Sequence, residues 1–287
     1  MRIKIFLFAM ISILLFGAGC NEKEEFVLKN RHREKYLVEK ITKYESSATH
    51  RAIDRTAEFF YDGNNKLTKR VTTGKLIENG QVRPLNYVDE FEYNTKGLVS
   101  KIRVHDLTHS MSYHDIKLSY DSKGNLIKQE MWRDDYRLYS RKFHYDNGRM
   151  VSIYDDKSEP FEINTIVYDK LGNAVKSIHV VPKQTDFGEP IEGEFEEVEY
   201  RYEYDGGIRP NFGIDYLFVY EPLIGMGTTT GFARGLSQNN LTKYLNDGGT
   251  WTFTYDEKGL PISYEVKWGS GATLYPMIYE ITYKQVE

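Results

Sequence analysis

The sequence predicts an all-β protein: an antiparallel, up-and-down meander of β-hairpins that forms a closed or nearly closed barrel. Three observations predict it. One short word recurs seven times, and each copy ends a strand in a turn. The stretches between copies alternate apolar and polar residues. The chain of 287 residues also holds 23 Tyr and 15 Phe, side chains that suit half-buried strands.

The first element in chain order is a leader. Arg2 and Lys4 are basic, Ile5 to Phe16 is apolar apart from Ser12, and the small residues Gly17, Ala18 and Gly19 precede Cys20. This is the anatomy of a secretory signal, and the apolar run is too short for a comfortable transmembrane helix. Cys20 is the only cysteine. Residues 1–19 therefore read as a lipoprotein signal peptide, and Cys20 as the lipidation site whose acyl chains hold the protein on a membrane. Residues 20–34 form a tether with an acidic cluster at Glu22, Glu24 and Glu25. That cluster resembles the export tag of surface lipoproteins, and Asn21 replaces the Asp that retains lipoproteins at the inner membrane. The expected location is the outer membrane, facing the cell exterior. Without the leader, 36 Lys and Arg face 42 Asp and Glu. That balance argues against nucleic acid, which requires clustered positive charge.

Residues 35–287 read as one domain. Lys35 to Ile41, "KYLVEKI", opens it. The recurring word follows: an apolar or aromatic residue, any residue, Tyr, then Asp or Asn. Its Tyr–Asp/Asn pairs are 61/62, 93/94, 120/121, 145/146, 168/169, 204/205 and 255/256. A spacing of two puts the apolar residue and Tyr on one face of a strand. Asp or Asn then opens a turn by accepting from backbone N–H groups. Gly97, Gly124, Gly172 and Gly259 stand three residues further on, where a left-handed residue closes the loop. The turn is altered at "DNG" (146–148) and "DGG" (205–207). Seven tips imply about fourteen strands, and the closing "YEITYK" (279–284) adds one. The Tyr spacings of 32, 27, 25, 23, 36 and 51 residues are too irregular for a solenoid.

Residues 205–240 break the rhythm with seven Gly and two Pro. Composition favours a plug or cap at the barrel's end. The alternative is a ligand lip, with Phe232 and Arg234 as its binding residues. Trp132, Trp251 and Trp268 are further ligand-binding candidates, since indoles stack on sugar faces, although each also fits a core. His105, His109 and His114 could gather around a metal ion, but the spacing matches no metal motif and a solvated hairpin loop explains it better. No cofactor is expected. Asp62, Asp121, Asp169 and Asp256 are already accounted for as turn formers. No nucleophile elbow or phosphate loop occurs, so catalytic residues are not assigned and an enzyme is the less favoured reading.

Two resemblances carry residues. "YDNGRMVSIYDD" (145–156) resembles, weakly, the tyrosine–aspartate (YD/RHS-like) repeats of shell-forming bacterial toxins. A closer one covers most of the chain through "KYLVEKI", "YEYDGGIRPNFG" (202–213), "NNLTKY" (239–244) and "TYDEKGLPISY" (254–264). These stretches resemble an uncharacterised family of Gram-negative, gut-type lipoproteins with a porin-like β fold. The resemblance implies a curved sheet or barrel and brings no activity. The combined expectation is a lipid-anchored binding or structural protein whose partner is a glycan, a peptide or an outer-membrane protein. The alternatives are a hydrolase that uses carboxylates on the same scaffold, and an integral outer-membrane barrel. The dense charge on the second face of each strand argues against the latter.

Overall fold

The structure is a computed structural model. It describes residues 35–46, 51–78, 81–108, 112–155, 162–185, 189–214, 229–246, 248–268 and 276–286. The leader, Cys20, the tether and His109 lie outside the described residues.

Sixteen strands form one closed antiparallel barrel, each paired with its sequence neighbours. They are β1 (Tyr36–Ser46), β2 (Arg51–Tyr61), β3 (Leu67–Glu78), β4 (Gln81–Tyr93), β5 (Val99–Asp106), β6 (Ser112–Tyr120), β7 (Leu126–Arg133) and β8 (Tyr136–Asp146). The second half comprises β9 (Arg149–Asp155), β10 (Glu162–Tyr168), β11 (Ala174–Gln184), β12 (Pro190–Ile208), β13 (Asn239–Tyr244), β14 (Gly249–Tyr255), β15 (Pro261–Lys267) and β16 (Met277–Gln285). A helix, α1 (Thr229–Leu236), lies between β12 and β13. The strand count exceeds the expected fifteen by one. The uncounted strand is β1, which follows no tip and pairs with β16 from Tyr36↔Gln285 to Tyr44↔Ile278 to close the ring. Closure gives every strand a neighbour on both sides, which guards against edge-to-edge aggregation.

Register explains the two faces. Phe91, Ile102, Ile116 and Met131 are paired partners across β4 to β7, so they form one inward row. Ala57, Ile41 and Ile281 continue such a row across the closure. The inward face is a single connected core, with Tyr279, Ile153 and Val38 fully buried. Outward residues are charged and matched in sign. Lys101 bridges Glu92 and Asp115 at 3.3 Å each, Lys128 meets Glu130 at 2.8 Å, and Lys176 meets Glu199 at 3.1 Å. Such exposed pairs stabilise little, but they keep the wall wet. The core also holds ion pairs, Arg70 with Asp89 and Lys43 with Asp54. Asp89 is 2 % exposed, so losing Arg70 would strand a buried charge.

The turns obey one rule. Asp62 Oδ1 accepts from the N–H groups of Asn64 and Lys66, and Asp121, Asp169, Asp256 and Asn94 accept likewise from positions two and four residues on. The residue three places on has positive φ: Gly97, Gly124, Gly172 and Gly259, and Asn65 in the first copy. Asn tolerates this region better than other side chains, so the first copy keeps the geometry without the glycine. "DNG" is tighter, with positive φ at both Asn147 and Gly148.

The recurring Tyr does more than pack. In five copies its hydroxyl donates to a backbone carbonyl on the preceding hairpin. Tyr61 bonds Val38 O at 2.7 Å, Tyr93 bonds Leu67 O at 2.7 Å, and Tyr120 bonds Val99 O at 2.6 Å. Tyr168 bonds Met150 O at 2.7 Å and Tyr204 bonds Ala174 O at 2.8 Å. Tyr283, outside the word, bonds Pro261 O at 2.8 Å in the same way. At the recurring Tyr in β2, β4, β6, β8, β10 and β14 the register shifts.

The described part of the 205–240 insertion enters the barrel. Asn211 O accepts from Val38 N at 2.8 Å, and the Phe212 ring lies 5.1 Å from that of Phe59. Phe232 sits under the Arg141 guanidinium, and Ser237 Oγ accepts from Ala174 N at 2.9 Å. Phe212 and Phe232 are each 1 % exposed. The insertion leaves a void of about 20 Å³ against Ile41, Leu241 and Phe253, about the space of one water.

Candidate functional site

Above the packed core, at the rim formed by the turns, a cavity of about 660 Å³ opens. That lies within the usual range for small-molecule sites. Five successive hairpin tips form one wall, from the β2–β3 turn to the β10–β11 turn. The insertion forms the other through Arg209, Ile214, Leu236 and Gln238.

The word itself builds the hairpin wall. Tyr93, Tyr120, Tyr145 and Tyr168 stand at equivalent strand ends and all line the cavity. The hydroxyls of Tyr93, Tyr120 and Tyr168 are committed to carbonyls, so these residues present rings rather than O–H groups. Burial pushes the Tyr93 hydroxyl up to about 12, helped by the nearby Asp62 charge. Burial pushes Tyr168 higher still, with Tyr145 adding to it and Arg149 opposing. The Tyr93 and Tyr168 phenols are neutral across the physiological range.

Three cations line the cavity, and among the described residues no carboxylate does. Lys66 closes the first turn and lies over the Tyr93 ring, its Nζ 5.1 Å from the centroid. Arg149 follows the tight "DNG" turn and lies over Tyr168 at 5.4 Å. Arg209 is anchored by donating through Nη1 to Gly235 O at 2.7 Å. Cations over ring faces are held by the ring quadrupole at modest cost to their hydration.

The residues singled out from the sequence lie elsewhere. Trp251, Trp268, Phe232 and Arg234 belong to the packed interior. The two indoles meet edge-on at 5.1 Å and Arg234 lies 5.5 Å over Trp251. Trp251 is 2 % exposed and Arg234 9 %, so these side chains weld the insertion to β14 rather than meet a ligand. Trp132 pairs with Asp115 on the outer wall, beneath Lys117 at 4.5 Å. His105 is on the outer face against Glu90 at 3.1 Å. His114 pairs with inward Val104 and accepts from Arg133 at 3.0 Å. Burial, then the Arg133 charge, lowers the His114 imidazole below its ordinary value. Opposite faces of the sheet therefore separate His105 from His114, and no cluster of metal-binding side chains forms among the described residues.

Two buried polar clusters were not foreseen. Ser177 Oγ lies 2.8 Å from His179 Nε2 and 2.9 Å from the Tyr202 hydroxyl. A serine beside a histidine resembles an activated nucleophile, but His179 is 1 % and Ser177 5 % exposed, with the core around them. In the second cluster the Tyr255 hydroxyl donates to Asp205 and accepts from Asn240 Nδ2 at 2.9 Å. Here the hydroxyl ladder departs from its rule, at the insertion's entry. A Cβ on Gly207 would lie 2.1 Å from that hydroxyl, so glycine is required by space. Lys66, Arg149 and Arg209 also went unnoticed. Their signal was a basic residue just past a turn: Lys66 and Arg149 stand where Leu98, Asn125, Asn173 and Leu260 follow the other turns, and Arg209 comes two residues after "DGG".

The fold and site together define a filled sixteen-stranded barrel with a cationic, aromatic-walled mouth. Among solved structures the chain is similar to a porin-like protein from Bacteroides uniformis, at 13% identity over 87% of this chain and 96% of that chain, with a TM-score of 0.41. It is similar to a porin-like protein from Bacteroides vulgatus at 12% identity, over 87% of this chain and 99% of that chain, with a TM-score of 0.38. A weaker likeness, at 14% identity and a TM-score of 0.29, is to the TcdB2-TccC3 protein without its hypervariable C-terminal region, of which it spans 12% while 83% of this chain is covered. No family model and no curated protein matches the chain.

Proposed function

We propose that this chain is a non-catalytic binding protein of the outer membrane, held by a lipid on Cys20 and facing the cell exterior, and that its ligand enters at the hairpin rim. The observation that carries the binding reading is the open cavity at one end of an otherwise packed barrel. Its described lining offers rings and cations but no paired carboxylates for hydrolysis. The outer wall is studded with charges, where a lipid-facing barrel needs an apolar band. That favours a body standing in water on an anchor. β1 starts at the rim, so the described chain begins at the same end of the barrel as the cavity.

The test takes intact cells of a Gram-negative host. Labelled palmitate is expected in the mature protein and lost in Cys20→Ser, and externally added protease is expected to digest the body. A wild-type protein without acyl label would sink the anchor, and full protection from protease would sink the outward orientation.

A further inference from the structure

We infer that the rim cavity takes an amphipathic anion: a carboxylate, phosphate or sulfate group carried on an apolar body. This rests on the binding reading above and names its ligand class. The first observation is charge. The chain carries a net charge of −4, yet this lining gathers Lys66, Arg149 and Arg209 with no described acidic neighbour in the lining. Cations of the outer wall such as Lys101, Lys128 and Lys176 each have a carboxylate. The Lys66 ammonium and the Arg149 guanidinium have none among the described residues, and each leans on a tyrosine ring instead. Positive charge concentrated in a concave, ring-walled mouth attracts and holds an anion.

The second observation is what the remaining wall lacks. Leu98, Leu126, Met150, Ile214 and Leu236 are aliphatic or thioether surfaces. Three of the four tyrosine hydroxyls already donate to carbonyls, and the Asn125 amide donates to Asp121 Oδ2 at 2.9 Å. A neutral saccharide brings many hydroxyls that need partners, and leaving them unpaired costs affinity. An apolar body with a single anionic head matches both halves of the wall. Among the partners considered from the sequence, a glycan, a peptide or an outer-membrane protein, this wall suits a neutral glycan least. The same chemistry could come from a free amphiphile or from the headgroup of an anionic membrane lipid.

The experiment uses the protein from Asn21 onward, with titration calorimetry against decanoate below its micellar concentration, decanol, and maltotriose. Vesicles of phosphatidylglycerol or phosphatidylcholine are added in co-sedimentation. Decanoate is expected to bind about tenfold tighter than decanol. The double variant Lys66→Gln/Arg149→Gln should lose that tenfold while keeping the wild-type Tm and decanol affinity. Leu98→Trp, which fills the cavity, should lose both ligands. Retention by phosphatidylglycerol vesicles that decanoate displaces supports a lipid headgroup as the source, and decanoate binding without retention supports a free amphiphile. Equal binding of decanoate and decanol overturns the inference, as does a folded double variant with wild-type decanoate affinity. Maltotriose binding lost in Leu98→Trp would overturn the anion and leave the binding reading standing.

Discussion

His179 makes the core sensitive to acid. Burial pushes its imidazole down from 6.5 to about 4. Ser177 holds one ring nitrogen and the Tyr200 ring packs edge-on at 4.5 Å. In the unfolded chain the same histidine takes a proton near pH 6.5. Between these values the unfolded state binds more protons, so stability is full above about pH 6.5 and falls as pH drops toward 4. Tm measured across that window should decline in the wild type, and His179→Gln should show a shallower decline from a lower starting value. Identical slopes would refute the assignment. At this scale the turn residues were legible, because Asp, Asn and Gly act on backbone within four residues. The tyrosine hydroxyls were not legible, since their acceptors lie 18 to 30 residues earlier in the chain. The tryptophans misled for a related reason: an indole reads alike in a sequence whether it faces a sugar or Arg234.

Tyr61, Tyr93, Tyr120, Tyr168, Tyr204 and Tyr283 each fasten one hairpin to its predecessor by a phenolic hydrogen bond. Tyr168→Phe removes the donor to Met150 O and nothing else of size, so it should cost about 1 kcal/mol in urea unfolding. Asp169→Ala should cost a similar amount or more, because Asp169 takes the N–H groups of Leu171 and Asn173 and also the Asn173 amide. A Tyr168→Phe protein as stable as wild type would mean that the ring alone fastens the hairpin. Strand positions followed from alternation because each strand has one wet face and one dry face. The length of β12, 19 residues, was hidden. Its first half alternates less cleanly, and its end runs through "DGG", which reads as a turn yet continues the strand to Ile208.

For the whole molecule, closure joins the first strand to the last, with Tyr36 opposite Gln285. Both ends of the described chain therefore meet on one rim. A permutant that links β16 to β1 and opens the chain between Asp134 and Asp135, in the two-residue turn of the β7–β8 hairpin, keeps every latch and most pairings. It should fold with an unchanged β spectrum and one cooperative melt, and a broad or absent transition would count against closure as the organising contact. The barrel class was legible because repetition and alternation are properties of the whole string. The cavity was not, since five hairpins and the insertion each contribute a few lining residues and no single window contains them. The tyrosine latch has one more consequence. Because each hydroxyl reaches only the hairpin before it, no latch depends on how many hairpins the ring contains. The unit from one tip to the next is therefore an interchangeable link. Duplicating or deleting such a link would alter the girth of the mouth in two-strand steps and leave every other tyrosine latch unchanged, so that only the insertion would have to refit the wider or narrower interior.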